Sequence, residues 1–127
     1  TNVVTMFHRS GTTWTDVQHV TTTDPTHERE DWFGRIVDIA DGMLVVGAGN
    51  NDNANGADAG AVYVFQLVGS TWVQLQKLLA SNGGAGHTFG ASYGAAIDNH
   101  RLIGGAMNDD SANIFSSPVR GTSISIR

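Results

Sequence analysis

The chain contains its own sequence twice. Phe7 and Phe65, Trp14 and Trp72, Gln18 and Gln76, and the pairs Gly47-Ala48 and Gly105-Ala106 each recur at a spacing of 58 residues. Phe33-Gly34 and Phe89-Gly90 recur at 56, which places two further residues of the second copy within 91–94. A shared offset across several landmarks means one supersecondary unit used repeatedly. Such a unit cannot bury its apolar face without a neighbour, so copies must stack.

Each copy reads as short strands joined by tight turns. Runs rich in Val, Ile, Phe, Tyr and Trp alternate with Gly, Thr, Asn, Asp and Ser, and no window carries apolar residues at helical spacing. Asp41-Gly42 lies between Ile36–Ala40 and 43–48 and Asn99-His100 lies at the matching place of the second copy; a two-residue hairpin turn needs positive φ, which Asp-Gly and Asn supply. Four strands per copy in roughly 40 to 60 residues is the size of a propeller blade.

The expected fold is therefore all-β, a single unit over 1–127 made of antiparallel four-stranded blades. Residues 1–32 read as strands three and four of a part blade, 33–80 as a full blade, and 81–127 as a part blade whose third strand is 122–127. That makes two blades and one extra strand, too few for a ring of the typical four to eight or so blades. Unpaired strand edges invite pairing with another chain, so blades completed by strand exchange with other copies are expected. Val3, Val4, Met6 and Phe7 would be the apolar anchors of the incoming strand. A join that closes gives a ring, and one that does not gives a filament.

Charge narrows the partners. Seven Lys and Arg stand against twelve Asp and Glu, a net charge of −5, so no basic stripe is present to release counterions from nucleic acid. The apolar runs 43–46 and 61–65 fall far short of the roughly 20 residues that span a bilayer as a helix, and membrane insertion is not expected. The chain has no cysteine, which removes thiolate metal sites and a cysteine nucleophile.

FGRIVDIADGMLVVGA at 33–48, GAVYVF at 60–65, GSTWVQLQKLLAS at 69–81 and FGASYGAAIDNHRLIGGA at 89–106 together resemble the FG-GAP repeats of β-propellers. The likeness is closer to the bacterial extracellular branch than to integrin α chains. The residue after Gly-Ala, often Pro in that family, is here Gly49 and Met107. The resemblance implies a propeller fold, an extracellular or cell-surface location, and a role in adhesion, ligand binding or surface display. It also implies calcium in the loop after Gly-Ala, where Asn50, Asp52 and Asp58 take the first, third and ninth positions, with Ala54 at the fifth. The second loop offers Asn108, Asp109 and Asp110. Calcium takes six to eight or so oxygens, so backbone carbonyls and water would have to complete either set.

Catalysis is not expected. Gly90-Ala91-Ser92-Tyr93-Gly94 matches the G-x-S-x-G of hydrolases by letter, but a nucleophile elbow needs a helix after it, and a short strand follows instead. Glu28, Glu30 and Asp31 belong to a run of mixed charge, read as a solvated segment rather than a glycosidase pair. Trp14 and Trp72 hold one repeat position and suit a structural role. Trp32 has no aromatic counterpart in the second copy and is the aromatic to test for ligand binding. The expected function is a non-catalytic, self-assembling structural or adhesion module; the alternative is a lectin-like or adhesin-like propeller fragment that binds carbohydrate or a surface protein.

Overall fold

The computed structural model describes residues 2–91, 94–99 and 101–116, together with the backbone of 122–126. Among the described residues ten strands form three antiparallel sheets. β1 (Val4–Ser10) and β2 (Thr13–Val20) make a two-stranded half-blade. β3 (Ile36–Ala40), β4 (Met43–Ala48), β5 (Ala61–Val68) and β6 (Thr71–Leu78) make the first full blade, in that spatial order. β7 (Ala95–Asp98), β8 (Arg101–Ala106), β9 (Ser111–Ser116) and β10 (Thr122–Ile126) make the second. The all-β reading and the blade order hold.

The repeat is visible in the hydrogen-bond register as well as in the letters. The turn residues Asp41 and Asn99 both have positive φ, as the two hairpins require. A bulge falls between Met6 and Phe7 in β1 and between Val64 and Phe65 in β5, the same place in the two copies. Bulges aim side chains, so a bulge held at one repeat position keeps Phe7 and Phe65 equivalent.

One expectation is corrected. The sequence reading put the third strand of the last blade at 122–127 and counted nine strands, whereas that strand is Ser111–Ser116 and 122–126 is the fourth. The register explains the slip. Leu44 pairs with Phe65 and Leu102 pairs with Phe115, so the third strand recurs at 50 residues while the second recurs at 58. The loop before it is eight residues shorter in the second copy. The strand also alternates Ser111, Asn113 and Phe115 on its buried side, a pattern with no aliphatic run to betray it. Its buried polar groups are satisfied: the Asn113 carboxamide accepts from the Ser81 hydroxyl at 3.1 Å and donates to Asn82 Oδ1 at 3.2 Å.

Two apolar cores flank the first full blade, one on each face of its sheet. One holds Met43, Val45, Val62 and Val64 against Phe89, Ile97, Leu102 and Phe115 of the second blade. The other holds Leu44, Val46, Tyr63 and Phe65 against Phe33, Val20, Val4 and Met6. β4 is buried along its whole length because it is covered from both sides. Contact between blades is close enough to demand glycine: a Cβ on Gly60 would overlap the backbone of Phe89. The Phe89 backbone is bridged to Gly60 of one blade and Ala106 of the other, which locks the two sheets together.

Candidate functional site

The half-blade is fastened to the first full blade by polar ties at its outer edge. The Gln18 carboxamide donates to the Trp72 carbonyl at 2.9 Å and accepts from the Trp72 amide at 2.8 Å, so one side chain satisfies both backbone groups of a residue on the facing strand. Gln74 Oε1 accepts from the Thr22 hydroxyl at 2.8 Å and the Thr23 amide at 3.0 Å. Asp24, in the connection from β2 to β3, accepts at Oδ2 from Tyr63 Oη at 2.9 Å and Lys77 Nζ at 2.6 Å. Burial pushes the Asp24 carboxyl up, but hydrogen bonds from Lys77, Thr26 and Tyr63 outweigh that effect and hold it well below the usual carboxylate range. Burial first, and then the Asp24 charge, push the Tyr63 phenol above its ordinary value.

These ties sit toward the outer strands. The inner part of the same face is bare. Among the described residues β1 is hydrogen-bonded to β2 alone, so its other edge presents free donors and acceptors. Beside that edge lies a cleft of about 640 Å³ lined by Phe7, Val17, Ile39, Leu67 and Trp72.

The internal repeat shows what such a face looks like when covered. Ile39 pairs with Leu44 and Ile97 pairs with Leu102, so the two isoleucines are equivalent. Ile39 is 54% exposed and Ile97 is 5% exposed. Val37 and Ala95, two residues earlier on the same face, are 46% and 8% exposed. The difference is the neighbour, since β7 packs against β3 and β4 of the preceding blade whereas β3 has no inner strands before it among the described residues. Asp38 secures the covered junction by accepting from the Ile97 amide at 2.8 Å.

A second cluster stabilises the Phe-Gly turns. Asp31 is buried, and its Oδ2 accepts from Asn51 Nδ2 at 2.7 Å and the Glu28 amide at 3.1 Å, with His27 Nδ1 at 3.0 Å. In the second copy the same two places hold His87 and Asp109, 3.5 Å apart. An acid and its partner have exchanged sides, and in the second copy the buried His87 Nδ1 makes no hydrogen bond among the described residues.

In the loop that the family resemblance assigns to calcium, Asp52 holds the loop through its side chain, and Asn50 and Asp58 are tied through their backbone amides. Asp52 Oδ1 accepts from the Asp58 amide at 2.8 Å, and the Asn50 amide donates to the Asp31 carbonyl at 3.1 Å. Asn53 donates to the Asn51 and Gly60 carbonyls and accepts from the Asn55 amide. In the second loop Asn108 donates to the Gly86 carbonyl, Asp109 accepts from Asn82 and Ser111, and Asp110 turns the chain at positive φ. Among the described residues no three carboxylates or imidazoles gather around one point. Calcium takes six to eight or so oxygens, so backbone carbonyls and water would have to complete either loop, and no chemistry is assigned to a metal here.

Trp32 ends a short 3-10 turn (Arg29–Asp31) in the left-handed region, and the Arg35 guanidinium lies 4.3 Å above its ring. One face of that indole is therefore already stacked. Of the assembly anchors, Val4 and Met6 point into the core beneath the half-blade while Phe7 is exposed; Val3 is half-buried. Ser92 and Tyr93 of the hydrolase-like motif lie outside the described residues, as does His100. Sequence reading passed over Val37 and Ile39. Their signal was present in the repeat of Ile39 at Ile97, but only the absence of a cover gives it meaning.

No curated protein matches the chain significantly. Residues 14–65 match the model of the FG-GAP repeat, and they run from the outer strand of the half-blade to the third strand of the first full blade. With its sheets ordered as blades and a second copy of the unit downstream, the chain carries an FG-GAP repeat within a β-propeller-like module.

Proposed function

We propose that this is a non-catalytic structural or adhesion module of the extracellular space or cell surface, whose open half-blade is completed by strand exchange with another copy. The observation that carries the reading is the contrast between Ile39 and Ile97 at one repeat position, 54% against 5% exposed. A bare apolar strip beside an unpaired edge is the arrangement that strand addition uses: backbone hydrogen bonds to β1 supply affinity, and side chains over Val37 and Ile39 set the register. The FG-GAP match supports the extracellular part of the reading, since repeats of this family typically serve outside the cell. Sedimentation velocity of the purified chain across the micromolar range tests it. Association that rises with concentration and is lost when Thr5→Pro blocks the β1 edge is the expected result. A compact monomer at every concentration would overturn it.

A further inference from the structure

The connection from β2 to β3 holds the chain's single Asp-Pro pair, Asp24-Pro25; the other proline, Pro118, follows Ser117. Such a peptide bond is open to attack by the aspartate's own side chain, because a carboxylate oxygen reaches the acyl carbon by closing a five-membered ring. Its leaving nitrogen belongs to a tertiary amide and takes up a proton more readily than a secondary one.

The fold keeps these two requirements apart. The leaving side is open, since Pro25 is exposed. The Asp24 carbonyl accepts from the His27 amide at 3.2 Å, a turn bond with Pro25 at its second place that draws electron density from the acyl carbon. The attacking group, by contrast, is tied at both oxygens. Oδ1 accepts from the Thr26 amide at 2.9 Å and the Thr26 hydroxyl at 2.7 Å, and Oδ2 accepts from Tyr63 Oη at 2.9 Å and Lys77 Nζ at 2.6 Å. Asp24 is 10% exposed at its side chain. Lys77 of β6 is the charged group that faces it and Tyr63 of β5 the titratable one, while Asp31 acts on Tyr63 from the neighbouring turn. A carboxylate held by four donors is a weak nucleophile, and it must break those bonds to turn onto its own carbonyl.

We infer that Asp24-Pro25 is a latent scission site: the clamp of Lys77, Tyr63 and Thr26 suppresses its cleavage, and release of the clamp cuts the chain between the half-blade and the first full blade. In the step, an Asp24 carboxylate oxygen bonds to the Asp24 carbonyl carbon and the C–N bond breaks. The electron pair stays on the Pro25 nitrogen, which takes a proton from the acidic medium. Water then opens the cyclic anhydride, leaving aspartic acid at a new carboxyl terminus and Pro25 at a new amino terminus. The Gln18 and Gln74 ties and the core around Val4, Met6 and Val20 do not involve the bond, so the cut half-blade stays docked.

The test is warm incubation at the lowest pH where circular dichroism shows every chain folded, followed by denaturing mass spectrometry for the Pro25 terminus. The folded wild type should stay intact, and the same chain in guanidinium at that pH should be cut. Lys77→Met, and Tyr63→Phe, which keeps its ring in the core, should each be cut at least about tenfold faster than the folded wild type, the effect of losing a hydrogen bond to a charged group. In guanidinium all three should be cut at one rate, and Asp24→Asn should yield no Pro25 terminus. Equal rates for folded and unfolded wild type, a comparison that needs no variant, would overturn the clamp, as would folded variants cut no faster than the wild type. An uncut unfolded wild type, or Asp24→Asn cut at the wild-type rate, would overturn the site itself.

Discussion

Phe33 lies edge-on to Phe65 with ring centroids 6.2 Å apart, and the equivalent pair Phe89 and Phe115 is also separated by 6.2 Å. The Phe of each Phe-Gly turn is thus a plug driven onto the third strand of its own blade, and the plug seals the core shared with the blade before. Both copies keep this spacing although the chain joining the two rings is six residues shorter in the second. The fixed quantity in the repeat is the distance between rings rather than the length of chain that joins them.

Truncating the plug should be costly. Phe89 is fully buried, and Phe89→Ala removes a buried ring from a core that cannot collapse around the hole, a loss of about 3–5 kcal/mol. Phe7→Ala at the exposed equivalent of Phe65 should change stability by less than about 0.5 kcal/mol. Guanidinium unfolding reads both. Equal midpoints for the two variants would contradict the assignment of the core.

Gln18 should act as a clasp. Gln18→Ala leaves both backbone groups of Trp72 without their partner, a loss of about 1–3 kcal/mol. Hydrogen exchange at the Trp72 amide should accelerate while the amides of β4 stay protected. Gln18→Glu retains the acceptor and loses the donor, so it should fall between the wild type and Gln18→Ala. Exchange at Trp72 that ignores both changes would remove the clasp.

The Asp24 tie predicts an acid dependence of known sign. Its carboxyl is held below its unfolded value, so the ionised form contributes stability that is complete above the ordinary carboxylate pKa of about 4 and is lost as pH falls through the folded value. Asp24→Asn should cost about 2–3 kcal/mol at neutral pH, since it leaves Lys77 without its ion pair, and should flatten the decline in stability below about pH 4. At the alkaline end, the raised Tyr63 phenol contributes stability below about pH 10 that is lost as pH rises through its folded value. Denaturant titrations at a series of pH values, with Tyr63→Phe as the second variant, separate the two ends.

Adjacent glycines should respond oppositely. A Cβ on Gly104 would overlap the Phe89 ring, whereas the nearest atom to a Cβ on Gly105 is Gly94 Cα at 3.6 Å, an ordinary contact. Gly104→Ala should lose about 1–3 kcal/mol through forced displacement of the plug. Gly105→Ala should be neutral or slightly stabilising, because it restricts the unfolded chain. Thermal unfolding of the two variants decides, and equal melting temperatures would dismiss the close approach.

Much of this was legible beforehand because it depends on local chemistry. Asp41-Gly42 and Asn99 dictate hairpins wherever they occur, alternating aliphatic runs dictate strands, and landmarks 58 residues apart dictate that one unit is used again. Those facts fixed the all-β class, the blades, and the pairing of β1 with β2. The polar strand Ser111–Ser116 escaped because its inward groups are Ser111 and Asn113, which become acceptable in a core only when Ser81 and Asn82 arrive to hydrogen-bond with them.

Exposure is the property that the tertiary structure alone decided. Ile39 and Ile97 stand at one repeat position and pair with the equivalent Leu44 and Leu102, so strand pairing does not separate them. One is covered and the other bare because solvent access depends on which sheet stacks in front, a relation between parts of the chain far apart in order. The same holds for Asp52 and Asp58, where an Asp52 carboxylate oxygen meets the Asp58 amide across the loop. Sequence supplied the repeating unit and its chemistry; stacking decided which of its equivalent surfaces remained free.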